Sequence, residues 1–133
     1  MTLVDTKVLL DIVTNDPRWL SWSRLELARA FVAGPLVIND VVYAEVSLRF
    51  GSIDTLDAAL AELGMRLDPI PRAALFLAAK AYGLYRSRGG TRTGVLPDFV
   101  IGAHASVLDC VLLTRDPGRY RHYFPALRLI APG

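Results

Sequence analysis

The stretch TLVDTKVLLDIVTN, residues 2–15, changes its pattern partway along. Its first residues read as a short buried strand and the remainder as a short helix, with Asp5 at the junction. The same alternation recurs downstream. PLVIN (35–39), MRLDPI (65–70), CVLLT (110–114) and LRLIAP (127–132) read as further strand-like segments. Between them lie helical stretches with clear punctuation. Asp16 and Pro17 open a helix that closes at Gly34. DVVYAEVSLRF (40–50) ends before Gly51, and Ser52 and Gly64 bracket another helix. A long helix runs from Pro71 to the paired glycines 89 and 90, one more starts at Pro97, and DPGRYRHYF (116–124) forms a short last one. TRTGVL (91–96) reads as a loop. Short apolar strands alternating with helices predict an α/β sandwich with a mostly parallel sheet, in one domain spanning residues 1–133.

Such sheets bind ligands beyond the carboxyl ends of their strands, so the residues that follow each strand carry the functional reading. Asp5 follows the first strand, and Asp116 follows VLLTR at the end of a later one. Each suits a helix cap as well as a site. Asp98, just after Pro97, suits either a site or the favourable end of a helix dipole. Glu45 stands apart because its helix has few polar positions, and Val41 and Leu48 share its face. It is therefore either buried with a partner or turned toward a cleft. Four grouped carboxylates repel one another unless a cation neutralises them. An all-oxygen set suits Mg²⁺ or Mn²⁺. His104, mid-helix in GAHAS, and His122 in RHYF read as packing or surface residues, which makes zinc an improbable ligand. A hard-metal phosphodiester site is the natural reading.

Composition bounds the alternatives. The chain has 133 residues, 53% of them hydrophobic, enough for a full core. A net charge of +2 does not announce a nucleic-acid binder, but the arginines are clustered. Arg86, Arg88 and Arg92 fall in a segment without acids, and Arg115 opens a second arginine-rich stretch. These are candidate contacts for a polyanion, alongside the plainer reading of solvated surface. Cys110 is alone in an apolar run, which excludes a disulfide framework and a paired-cysteine metal site. With no signal peptide and no apolar run of membrane-spanning length, the expected setting is cytoplasmic.

The opening LVDTKVLLDI, Glu45 within NDVVYAEVSLRF, the segment LPDFVIGAHA and the tail LLTRDPGRYRHYFPALRLIAP together resemble a PIN-domain ribonuclease, specifically the VapC toxin type of toxin–antitoxin pairs. The resemblance implies a PIN-like three-layer sandwich and an acidic quartet at Asp5, Glu45, Asp98 and Asp116. It implies that Asp5 and Asp98 hold Mg²⁺ or Mn²⁺, with Glu45 and Asp116 joining directly or through water. Thr6 and Thr114 match supporting positions. The implied reaction is metal-dependent hydrolysis of RNA, transfer or ribosomal, with Lys7, Arg86, Arg88, Arg92 and Arg115 as candidate RNA contacts.

It also implies a VapB-type antitoxin, for which Trp19 and Trp22, three apart on one helical face, are groove candidates beside a plain core reading. A homodimer is implied, and operator DNA only indirectly, through the antitoxin. Lys7 departs from the family, whose members often carry Ser, Thr or Asn there. A lysine at that position either pairs with the acids, holds a substrate phosphate, or points away. Two rivals follow: a non-catalytic PIN-like binding module, and a phosphotransferase using Asp5 as nucleophile. The second expects an Asp two residues after Asp5, where Lys7 stands.

Overall fold

In the computed structural model, which describes residues 1–133, β1 (Thr2–Val4) is buried along its whole length. Successive strand residues point to opposite faces, so a strand buried throughout is covered on both sides. β2 (Leu36–Ile38) is likewise buried throughout, and Leu112 and Leu113 of β4 (Val111–Leu113) are fully enclosed. With β3 (Met65–Leu67) and β5 (Leu129–Ile130) these strands form one five-stranded sheet in the order β3-β2-β1-β4-β5. All four pairings are parallel, a stricter outcome than the mostly parallel sheet expected from sequence.

From β1 the chain steps outward through β2 and β3, then returns to place β4 on the other flank of β1. The switch point of the sheet therefore lies between β1 and β4, where a crevice opens beyond the strand ends. Seven helices complete the layers: α1 (Thr6–Val13), α2 (Leu20–Ala33), α3 (Asp40–Ser47), α4 (Ile53–Glu62), α5 (Arg72–Ser87), α6 (Leu96–Leu108) and α7 (Gly118–Tyr123). None is long and apolar enough to cross a membrane.

The caps explain most boundaries. Ser52 accepts a hydrogen bond from the Thr55 amide and opens α4, and Gly64, at φ 77°, follows its end. Asn39 opens α3 by accepting from the Val42 amide. Some boundaries differ from expectation: α3 ends at Ser47 rather than Phe50, and α7 covers only Gly118–Tyr123 of the segment 116–124. The helix expected to begin at Pro17 begins at Leu20. Asp16 does accept from the amides of Arg18 and Trp19, both at 2.9 Å, but this closes a turn over residues 17–19 ahead of the helix.

α6 is the core helix, buried continuously from Phe99 to Ala105. Gly102 lets α7 approach it closely, because a Cβ there would lie 2.6 Å from the Phe124 ring and 3.0 Å from the Tyr120 ring. Gly102→Ala is therefore expected to destabilise the protein by about 1–3 kcal/mol through overpacking, read as a lower urea midpoint.

Candidate active site at the carboxyl edge of the sheet

Asp5 leaves β1 and caps α1, with Oδ1 accepting from the Thr6 amide at 2.8 Å. Both readings of this residue hold together, since the same carboxylate lines a cleft of about 620 Å³. Its Oδ2 accepts from the Thr114 hydroxyl at 2.7 Å and the Tyr120 hydroxyl at 3.2 Å. Burial pushes the Asp5 carboxyl up to about 6; the Thr114 hydroxyl opposes this, and the charge of Asp98 adds to it. Burial, with Asp5 close by, raises the Tyr120 hydroxyl well above its ordinary range, so it stays a proton donor.

Glu45 comes from α3 and faces the same cleft, where its Oε1 accepts from the Thr6 hydroxyl at 2.7 Å. Leu48, which shares its helical face, also lines the cleft and is largely exposed. Asp98 comes from the first turn of α6. Burial raises its carboxyl despite the guanidinium of Arg119, whose Nη1 donates to Oδ2. Arg119 in turn lies over the Tyr85 ring, 6.0 Å from its centroid. Asp116 follows β4 and does not cap α7, which starts two residues later without a side-chain cap. Its backbone amide donates to the Thr114 hydroxyl at 3.1 Å, and its Oδ2 accepts from Lys7 Nζ at 2.5 Å.

The four acids thus come from four separate places in the chain and line one cleft at the switch point. Of the candidate RNA contacts, Lys7 and Arg92 line it, whereas Arg86 and Arg88 are exposed and lie outside its lining. Arg115 is turned elsewhere. Its Nη2 donates to Asp11 Oδ1 at 3.0 Å, and its guanidinium sits 5.1 Å from the Trp19 ring centroid. Asp11 is only 2% exposed and also accepts from Ser23, so Arg115 balances a buried charge and ties the end of β4 to α1 and α2. Trp19 and Trp22 meet edge to face at 5.9 Å, both half-buried. His104 is fully buried beside Asn39, with Nε2 3.5 Å from Asp68 Oδ1, and is not among the residues that line the cleft.

Two cleft residues were not singled out from sequence: Arg119, which falls within the arginine-rich stretch opened by Arg115, and Tyr120. Their signal was present, because a helix that starts immediately after the acid of β4 has to cross the edge where the acids gather.

The donor set fits a hard divalent cation. Every candidate ligand is a carboxylate or hydroxyl oxygen, and the acids raise one another's proton affinity, Asp98 acting on Asp5 and Asp116 on Asp98. No three carboxylates close on a single point as the side chains stand, and two of them hold cations of the protein itself. Mg²⁺ needs no such cage, since it commonly keeps several waters and takes one or two carboxylates.

Fold and cleft together define an α/β protein with a carboxylate-lined crevice at the switch point of a parallel sheet. The chain belongs to the PIN domain family, whose model matches residues 2–125. It is similar in structure to VapBC2 from Rickettsia felis bound to a DNA fragment from its promoter, with a TM-score of 0.71 at 14% identity over 99% of this chain and 98% of that one. It is also similar to VapBC-1 from nontypeable Haemophilus influenzae, with a TM-score of 0.71 at 16% identity over 98% and 96% of the two chains. FitAcB from Neisseria gonorrhoeae matches with a TM-score of 0.69 at 18% identity over 98% and 96%. No curated protein matches the sequence significantly.

Proposed function

We propose that this chain is a metal-dependent endoribonuclease toxin of the VapC type, neutralised by a VapB-type antitoxin. The observation that carries the reading is the gathering of Asp5, Glu45, Asp98 and Asp116 in one cleft. Membership of the PIN family and full-length likeness to VapBC structures support it. In this reading Asp5 and Asp98 hold Mg²⁺ or Mn²⁺, with Glu45 and Asp116 joining directly or through water. When bound, the ion supplies a Lewis acid that makes water a nucleophile at neutral pH and offsets charge on the phosphate oxygens.

The protein's own groups do the rest. Thr114 and Tyr120 orient Asp5, and Thr6 orients Glu45. Arg92, which lines the cleft and is exposed, takes the RNA backbone there, with Arg86 and Arg88 beyond the cleft. The substrate is a transfer or ribosomal RNA, the protein works as a homodimer until captured, and Trp19 and Trp22 contribute to antitoxin contact.

The two ion pairs, Lys7 to Asp116 and Arg119 to Asp98, favour a second reading, a non-catalytic PIN-like module whose acids are already neutralised. The two readings separate in one experiment. Wild type and Asp98→Asn, purified identically, are incubated with total RNA and Mg²⁺ or Mn²⁺. Discrete, metal-dependent fragments are expected from the wild type alone. Equal cleavage by both would remove the assigned site, and no cleavage by either, with no Mn²⁺ bound, would favour the module.

A further inference from the structure

We infer that Lys7 takes the place of a second metal ion, so that this protein binds one divalent ion, on the Asp5 side, with the Lys7 ammonium holding the Asp116 position. The inference rests on the reading of the cleft as a metal site and deepens it.

The charges of the cleft point this way. Asp98 is paired with the Arg119 guanidinium, and Asp116 with the Lys7 ammonium. Asp5 receives only hydroxyl and amide donors, and Glu45 only the Thr6 hydroxyl. Asp5 and Glu45 are therefore left without a counter-charge, and one divalent ion held by Asp5 with Asp98 supplies it, Glu45 joining directly or through water. A second divalent ion at Asp116 would have to displace an ammonium already seated there and shed part of a firmly held water shell.

The backbone makes the arrangement durable. Thr6 and Lys7 are consecutive in the first turn of α1, the helix that Asp5 caps. Thr6 is directed at Glu45 and Lys7 at Asp116, so one rigid turn presents a hydroxyl to one acid and a cation to the other. The Lys7 charge also acts on Asp98, which feels the opposing charge of Asp116. An exposed ion pair taken alone contributes little. In a group of four acids, the same ammonium relieves repulsion at more than one of them. Arg92 lines the cleft without an ion pair to any of the four, which leaves it free for a substrate phosphate.

The test is a count of bound Mn²⁺, by calorimetric titration and by electron paramagnetic resonance of the purified protein without RNA. Wild type is expected to bind one ion per chain and Lys7→Ala two. Lys7→Arg, which keeps the charge, should return to one, as should Lys7→Ala combined with Asp116→Asn. Lys7 is exposed, so these substitutions leave the core intact, and circular dichroism checks that they do. Two ions on the wild type, or one on Lys7→Ala, would overturn the assignment of Lys7 and leave the nuclease reading standing. No ion on either protein would overturn both.

Discussion

Asp5→Asn should cut metal-dependent RNA cleavage by more than about a hundredfold, since changes merely around a metal ligand commonly cost 10–100-fold. The same substitution should make the chelated protein more stable. Asp5 is 7% exposed, and its carboxyl is raised from 3.8 to about 6 chiefly by that burial. The folded state therefore holds the proton more tightly than the unfolded chain does. As pH rises from about 4 to 6, this group makes the fold progressively less stable, and above 6 the full penalty, about 3 kcal/mol, is in force.

Asparagine removes the charge and keeps the shape. Its carbonyl oxygen still accepts from the Thr6 amide, and its amide group can donate to the hydroxyl oxygens of Thr114 and Tyr120, which then turn from donors to acceptors. Urea melts in chelator at pH 7.5 should show Asp5→Asn ahead of the wild type, with the gap closing toward pH 4. Saturating Mn²⁺ should reverse the order, because an ion that binds only the folded wild type stabilises it by mass action. If the variant proves less stable in chelator at pH 7.5, a further group of the protein compensates the buried carboxylate.

Phe99→Ala should destabilise the protein by about 3–5 kcal/mol, a large share of the 5–15 kcal/mol that holds a typical domain together. Phe99 is fully buried at the centre of an aromatic cluster. Its ring centroid lies 5.6 Å from both Tyr82 and Tyr85, 5.2 Å from Tyr123 and 6.4 Å from Phe124. These rings join α5, α6 and α7, and no single neighbour is free to fill the hole. A fall in melting temperature on the order of 10 °C is expected from a loss of that size. The damage should reach the cleft as well. Phe99 directly follows Asp98, and Tyr85, one of its neighbours, carries the Arg119 guanidinium that pairs with Asp98. Mn²⁺ affinity of the variant should fall well below its melting temperature. Unchanged affinity would show that the cluster supports the fold alone.

The architecture was legible because local signals agreed with one another. Pro71 opens the segment of α5, Gly64 closes α4, and three-residue apolar runs mark the strands. The acids were legible for a geometric reason: in a parallel sheet the residue after a strand faces the ligand edge, and Asp5 and Asp116 each follow one. Glu45 stood out by polarity on an apolar helix.

What stayed hidden depends on partners far away in the chain. Arg115 read as a candidate RNA contact, or as a solvated arginine, because nothing local marks Asp11 as buried, and the two are 104 residues apart. Lys7 was visibly unusual, yet its choice among three directions was made by Asp116, 109 residues on. Arg119 and Tyr120 acquire their roles only when α7 folds back over the sheet edge. The start of α2 slipped because Asp16 makes the hydrogen bonds of a cap while the chain completes a turn first.

β1 is central in the sheet although it is made first, and the groups that hold Asp5 are made last. The Tyr120 hydroxyl contacts an acid 115 residues behind it, and Thr114 one 109 residues behind. During synthesis at about 5–20 residues per second, the interval between these residues is on the order of ten seconds. Throughout that interval the nascent chain lacks β4, α7 and the last acid, so the cleft has no second wall. A chain of this topology therefore has no assembled site until both β4 and α7 have been made and have folded back against β1.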